Sequence, residues 1–345
     1  MPRRPNPELH TRSAVPEQRG PDAAYRAFAA QAALLRLERV TREIDGVRQA
    51  TDIEYVHRMR VASRRLRTAL RLFEECFPRR YFRRWQDEVR ATTCALGQAR
   101  DLDVQMEFAG DFERRCHDAA VRPGVRRLLL RLGQKRARAQ RRVLRRLTDF
   151  QASGVNESMT AVLSPFVAQA HGPVPSPGLL EDAKAWTCRG VDELLAYESY
   201  VTQPRAVVEL HAMRIAAKHL RYLMEIVEPF FAATTVVSKP VPDIPGRLRA
   251  SLEAAKQVQS LLGTLHDCDV WLELLPRFME KESKRSHVFH GHERAFRRFV
   301  PGIERFRRSV VRLRGRTYHR FAAFWAEARS KHVWESLLSA MRSEQ

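Results

Sequence analysis

The stretch VHRMRVASRRLRTALRLF, Val56 to Phe73, constrains this chain most, because the chain repeats it. From Leu210 to Val227 it reads LHAMRIAAKHLRYLMEIV. Setting the two side by side pairs His57 with His211, Met59 with Met213, Arg60 with Arg214, Arg64 with Lys218, Leu66 with Leu220 and Arg67 with Arg221. A second signal follows each copy. Leu96-Gly97 leading to Arg100-Asp101-x-Asp103-Val104 is matched by Leu262-Gly263 leading to His266-Asp267-x-Asp269-Val270. The second pair is spaced wider than the first by an insertion rich in proline, with Pro240, Pro242 and Pro245. Two ordered motifs separated by one consistent insertion point to an internal duplication.

At 3.6 residues per turn, His57, Arg60, Arg64, Arg67 and Arg71 share one helix face, with rungs roughly 5 Å apart. Met59, Ala62, Leu66, Ala69 and Phe73 form the opposite, apolar stripe. Like charges three or four apart on a helix each cost about 0.2–0.5 kcal/mol. A ladder of them is a standing repulsion that a bound polyanion relieves. A single basic run usually means a solvated face; recurrence at the same phase favours a site. Composition agrees. Lys plus Arg number 61 against 40 acidic residues, giving a net charge of +21 and a pI near 10.7. Only eight of the basic residues are lysine. Guanidinium binds phosphate as a planar fork of donors, where ammonium is a point charge. The partner expected is therefore a polyanion.

Residues 1–21 read as a disordered basic tail. From Asp22, a candidate N-cap, a helix runs to about Gln49, with Tyr25, Phe28, Ala32, Leu35 and Val40 on its stripe. The motif helix follows and stops near Pro78. A third helix carries Trp85, Val89 and Leu96 and is expected to end at Gly97, a left-handed C-cap residue. The next element restarts at Asp101 or Asp103, and a basic helix spans about Val125 to Asp149. Residues 22–150 make the first repeat. A linker covers 151–178, in which Met159–Val167 is a candidate short helix. The second repeat, 179–328, has a helix from about Leu180 to Tyr200, the motif helix from about Arg205, one ending at Gly263, and a last one within Pro301–Ala328. A tail, 329–345, contains VWESLLSAM, a segment able to pack back. No stretch alternates with period two, so the class is all-α.

Cys76, Cys94, Cys116, Cys188 and Cys268 are scattered and never form CxxC, which argues against a zinc site or disulfide framework and for a reducing, cytoplasmic setting. No apolar run approaches the roughly 20 residues of a membrane span, and the N-terminus has no secretory core. The pairs Asp101/Asp103 and Asp267/Asp269 suit either helix capping, where the dipole favours carboxylate, or the positioning of ladder arginines. Divalent-cation binding is weaker, because no third acid lies nearby. His287, His290 and His292 form a short run able to hold a transition metal, but it has no counterpart in the first half and reads as a loop. No metal site and no cofactor are expected. His57 and His211 lie beside arginines that disfavour the charged imidazolium. A hydrogen bond to phosphate and a structural role both remain open for them. There is no Walker-type loop and no ExExK strand, so the chain is expected not to be an enzyme. A phosphoanhydride hydrolase is the weaker alternative.

The pair VHRMRVASRRLR and LHAMRIAAKHLRY, each followed by LG…(R/H)DxDV, resembles the CHAD domain, the conserved histidine α-helical domain. The likeness covers about residues 22–328. It implies two four-helix bundles related by a pseudo-two-fold axis, with basic surfaces that bind inorganic polyphosphate. Carried over by position, the family's histidines are His57 and His211. Its basic ladders are Arg60, Arg64 and Arg67, and Arg214, Lys218 and Arg221, with Arg71 extending the first. Arg100, Asp101, Asp103, His266, Asp267 and Asp269 would support them. The chain departs from symmetry at Arg65, replaced by His219, and at Arg71, replaced by Glu225, so the second face is expected to bind more weakly. Storage-granule targeting, sequestration or scaffolding of polyphosphate metabolism would follow, with granule proteins as partners. A nucleic-acid-associated role for the same arginines is the alternative. Against it, the ladders hold almost no aromatics for base stacking, Tyr222 being the main exception.

Overall fold

Arg79 to Arg115 is one unbroken helix of 37 residues, and Ile244 to His290 another of 47. In the computed structural model, which describes residues 20–168, 176–234 and 243–343, these two helices are the long members around which the rest is laid. In chain order the helices are α1 (Ala23–Arg42), α2 (Ile44–Gln49), α3 (Glu54–Leu72), α4 (Arg79–Arg115), α5 (Arg122–Ala152), α6 (Val155–Ala168) and α7 (Pro177–Leu195). There follow α8 (Val207–Thr234), α9 (Ile244–His290), α10 (Arg294–Arg297), α11 (Val300–Ser330) and α12 (Val333–Arg342). Two single 3-10 turns, Glu74–Cys76 and Glu198–Tyr200, complete the list, and no strand occurs among the described residues. The chain is all-α, as the periodicity predicts.

Several helix starts follow from their caps. Asp22 accepts from the Tyr25 N–H at 2.8 Å and opens α1, and Ser176 accepts from the Leu179 N–H at 3.2 Å and opens α7. Pro78 precedes α4, and proline also occupies the first turn of α5, α7, α9 and α11, where its missing N–H has no intrahelical role. The candidate helix in 151–178 is α6. The Trp85 indole N–H donates to Ser158 Oγ at 3.1 Å and ties it to α4. VWESLLSAM packs back as α12, with Trp334, Leu337 and Met341 buried. The expected N-terminal tail lies outside the described residues, as do Pro240 and Pro242.

Neighbours pack largely in chain order. The helix α1 lies on α3, α3 on α4 and α4 on α5; likewise α7 lies on α8, α8 on α9 and α9 on α11. The two series meet where α3 crosses α8 and where α5 touches α11. One apolar cluster runs continuously from Tyr25 to Met341. The expected core stripe of α3 is all buried, and Met59, Leu66 and Ala69 are sealed completely. Each large side chain buried in this way contributes about 1.5–3 kcal/mol. In α1 the expectation fails at Leu35, which is 49% exposed, while Leu37 takes the buried place. A second cluster joins the far ends of α4, α5, α9 and α11, where Trp271 and Phe306 meet edge to face at 5.0 Å.

The predicted breaks at Gly97 and Gly263 do not occur; α4 and α9 run straight through them. A mid-helix glycine costs about 1 kcal/mol, a penalty that burial of Leu96 and Ala99, and of Leu262 and Leu265, outweighs. Asp101, Asp103, Asp267 and Asp269 are consequently mid-helix and cap nothing. His287 and His290 lie in the last helical turn of α9, not in a loop; the helix ends at Gly291 in the left-handed region.

Glycine matters differently where α5 meets α11. A Cβ on Gly302 would lie 2.1 Å from the Val121 carbonyl oxygen, and one on Gly124 would lie 2.2 Å from that of Phe299. Both obstacles are backbone and cannot swing away. Gly302→Ala should therefore destabilise the chain by about 3 kcal/mol, the upper range for overpacking. Urea unfolding monitored by circular dichroism measures it, and an unchanged midpoint contradicts this packing.

Candidate functional site: a cationic seam between two helices

The site forms where the basic faces of α3 and α8 meet. Burying Met59, Ala62 and Leu66 on one side of α3, and Met213, Ala216, Ala217 and Leu220 on α8, turns both ladders toward the same seam. Arg60, Arg64, Arg214 and Lys218 then lie close enough to repel one another across it. Burial, reinforced by Arg60 and Arg214, lowers the pKa of the Arg64 guanidinium. Arg214 and Arg67 are likewise lowered, chiefly by burial. Lys218 is affected most: burial, then Arg64, Arg214, Arg60 and Arg67, pushes its ammonium down to about 7. The Nε atoms of Arg60, Arg67 and Arg214 are buried without a hydrogen-bond partner. Buried donors are normally paired; those of Arg60 and Arg214 face Gly97 and Gly263 instead of an acceptor.

Gly97 and Gly263 find their role here. The Arg60 Nε would lie 3.4 Å from a Cβ at Gly97, and the Arg214 Nε 3.7 Å from one at Gly263. Each glycine is thus a flat stretch of helix under an arginine of the ladder. The paired aspartates sit one turn on. Arg60 approaches Asp101 at 3.7 Å, and Asp267 lies near Arg214, its pKa raised mainly by burial and only partly offset by that arginine. Asp103 accepts from Arg136 Nε at 2.6 Å and Asp269 from Arg314 Nε at 2.5 Å. The inner aspartate of each pair therefore faces the seam, and the outer one anchors α5 or α11 to α4 or α9.

The histidines stand at the α3 and α8 starts and do not meet each other. Burial lowers the His57 pKa, with Arg100 the strongest opposing charge, itself 3.8 Å from Glu54. Burial also lowers His211, followed by Arg214. His211 packs on His266 with ring centroids 4.2 Å apart, and burial followed by Arg214 pushes His266 down to about 4. Both imidazoles are thus neutral near pH 7.

At the other end of the seam the ladders are unequal. Glu225 accepts from Arg221 Nε at 2.8 Å and, across the seam, from Arg65 Nε at 2.8 Å. Arg221 is therefore already paired, whereas Arg64 and Lys218 have no acidic partner among the described residues. Tyr222, expected as an aromatic of the ladder face, is buried, with the Arg64, Arg65 and Arg221 guanidiniums 5.5–5.9 Å from its ring centre. Arg71 is exposed beyond this point and faces α7. Sequence reasoning missed the Glu225 bridge because its partner is on another helix; only the break in the repeat, Arg71 against Glu225, hinted at it. Among the described residues, no three His, Cys, Asp or Glu side chains are placed to share a metal ion.

Fold and seam together define a class: all-α proteins of long packed helices that gather arginines from two helices onto one face. The chain belongs to the CHAD domain family, whose sequence pattern matches residues 31–276. The crystal structure of the CHAD domain from the plant Ricinus communis is similar in fold, with a TM-score of 0.55 and 21% identity over 94% of each chain. No curated protein matches the chain in sequence.

The Lys218 environment yields a pH prediction. A bound polyanion favours the ammonium, so binding takes up a proton when the free amine is partly neutral. Affinity should be highest below the free-state value of about 7 and fall as pH rises above it. Lys218→Arg should flatten that decline while preserving affinity near neutrality. Calorimetric titration in two buffers of different ionisation enthalpy measures the proton uptake directly.

Proposed function

We propose that this chain binds inorganic polyphosphate along the α3–α8 seam and catalyses no reaction. The observation that carries the reading is the convergence of Arg60, Arg64, Arg214 and Lys218, which repel one another on one seam. A linear polyanion with a charge on every unit is suited to relieve that repulsion. Membership of the CHAD family, whose resemblance implies polyphosphate, supports this choice of polyanion. So does the burial of Tyr222, which leaves the seam without a stacking platform for bases.

On this reading the chain is two copies of one helical unit, residues 22–150 and 179–328. Like contacts at Arg60/Gly97 and Arg214/Gly263, and at Asp103/Arg136 and Asp269/Arg314, support that duplication. His57 and His211 stand where α3 and α8 begin and donate to phosphate in neutral form. The first copy contributes more, since Arg221 is shared with Glu225. Granule targeting, storage or scaffolding of polyphosphate metabolism is the cellular role, in the cytoplasm. No helix among the described residues is long and apolar enough to cross a membrane.

Arg60→Glu or Arg214→Glu alone should weaken polyphosphate binding at least about tenfold, or 1.4 kcal/mol, because each places a carboxylate in the same seam. Fluorescence anisotropy of end-labelled polyphosphate measures it. Single- and double-stranded DNA should compete poorly at one stated salt concentration, since phosphate binding is steeply salt-dependent. Equal competition by DNA would transfer the seam to nucleic acid. Tripolyphosphate incubated with magnesium and the chain should release no phosphate.

A further inference from the structure

The end of the α3 ladder opens into a cleft of about 430 Å³ between α3, α7 and α8. Its chemistry differs from that of the seam. Leu72, Trp186, Leu220 and Leu223 supply apolar wall, while Arg71, Arg189 and Glu193 stand around its rim. We propose that this cleft holds the organic half of a nucleoside polyphosphate, whose phosphates lie toward Arg71 and Arg189.

Three observations carry the assignment. First, a bare phosphate chain has no apolar surface to bury, so half of this cleft would be useless to it. Pockets for small organic ligands combine apolar wall with a few placed polar groups. Trp186 is half-buried, and its indole is held edge to face against Phe73 at 5.8 Å, which fixes the orientation of the ring. A planar base has a surface to lie against. Second, Glu193 is exposed and has no ion pair or hydrogen bond among the described residues, although Arg189 is one turn away. A free carboxylate repels phosphate but accepts hydrogen bonds from sugar hydroxyls or a base amino group. Third, Arg71 has no acidic partner among the described residues, and the corresponding position of α8 is Glu225. The extra rung thus stands at this cleft. Arg71, Arg189 and Glu193 together discriminate: the arginines accept the phosphate end, and the glutamate requires a donor beside it.

The inference relies on the polyanion reading of the seam only for the direction in which the phosphates point. Its test keeps the two apart. Calorimetry on the full chain compares ATP, tripolyphosphate and long-chain polyphosphate under one set of conditions. ATP should bind at least about five times more tightly than tripolyphosphate, which has the same number of phosphates. Glu193→Lys, a change at an exposed position, should weaken ATP and strengthen tripolyphosphate, shrinking or reversing that preference. Trp186→Leu should weaken ATP alone, with circular dichroism confirming the fold. Equal affinities for ATP and tripolyphosphate, no ATP binding, or a Glu193→Lys variant that strengthens both ligands equally would overturn the cleft assignment. Loss of long-chain polyphosphate binding with the ATP preference intact would instead overturn the seam reading.

Discussion

Mutual repulsion among the guanidinium and ammonium groups on the α3–α8 seam is the constraint on which the rest of the structure depends. Arg60, Arg64, Arg214 and Lys218 are forced together by the core behind them, where Met59, Leu66, Met213 and Leu220 are buried. Apolar burial supplies the energy, and the charged face must follow the apolar one because both are on the same helices. Burial first, and then the neighbouring cations Arg64, Arg214, Arg60 and Arg67, push the Lys218 ammonium down to about 7. Helices α4 and α9 support the arrangement from beneath, with a glycine under one arginine on each side and an aspartate one turn on.

Much of this was legible in the sequence. The phase of Met59, Ala62, Leu66 and Ala69 against His57, Arg60, Arg64 and Arg67 identified the buried and charged sides of α3 correctly. The repeat drew attention to Arg214 and Lys218, which a single basic run would not have done. What failed was the reading of glycine. Gly97 and Gly263 carry the local signature of helix ends, and local signature cannot register that a side chain from another helix lies across them. Of the two readings of the aspartate pairs, capping fails because no helix begins there, while Asp101 lies beside Arg60, a ladder arginine, as the other reading has it. Leu35 was misplaced because the actual buried stripe of α1 runs through Leu37.

Partnership across helices was the larger blind spot. Glu225 bridges Arg65 and Arg221, and Glu282, which is buried, collects Arg127 and Arg131 from α5 at 2.6 and 2.8 Å. The links of Arg65 to Glu225 and of Arg127 and Arg131 to Glu282 have no signature in spacing, because the partners are far apart in the chain, whereas Arg221–Glu225 is an ordinary i,i+4 pair. These bridges decide which arginines are free. In a chain with 61 basic residues, the count of cations says little about binding. Partly buried cations with no ion pair among the described residues say more, and Arg64 and Lys218 on the seam are two of them.

The account stands on the two ladders being one site. Calorimetric titration with a short polyphosphate tests this most directly, because stoichiometry distinguishes a shared face from two separate ones. One molecule bound per chain, with Arg64→Ala and Lys218→Ala each weakening that single event, is the predicted result. Two equal and independent binding events per chain, each lost with only one of the substitutions, would contradict it.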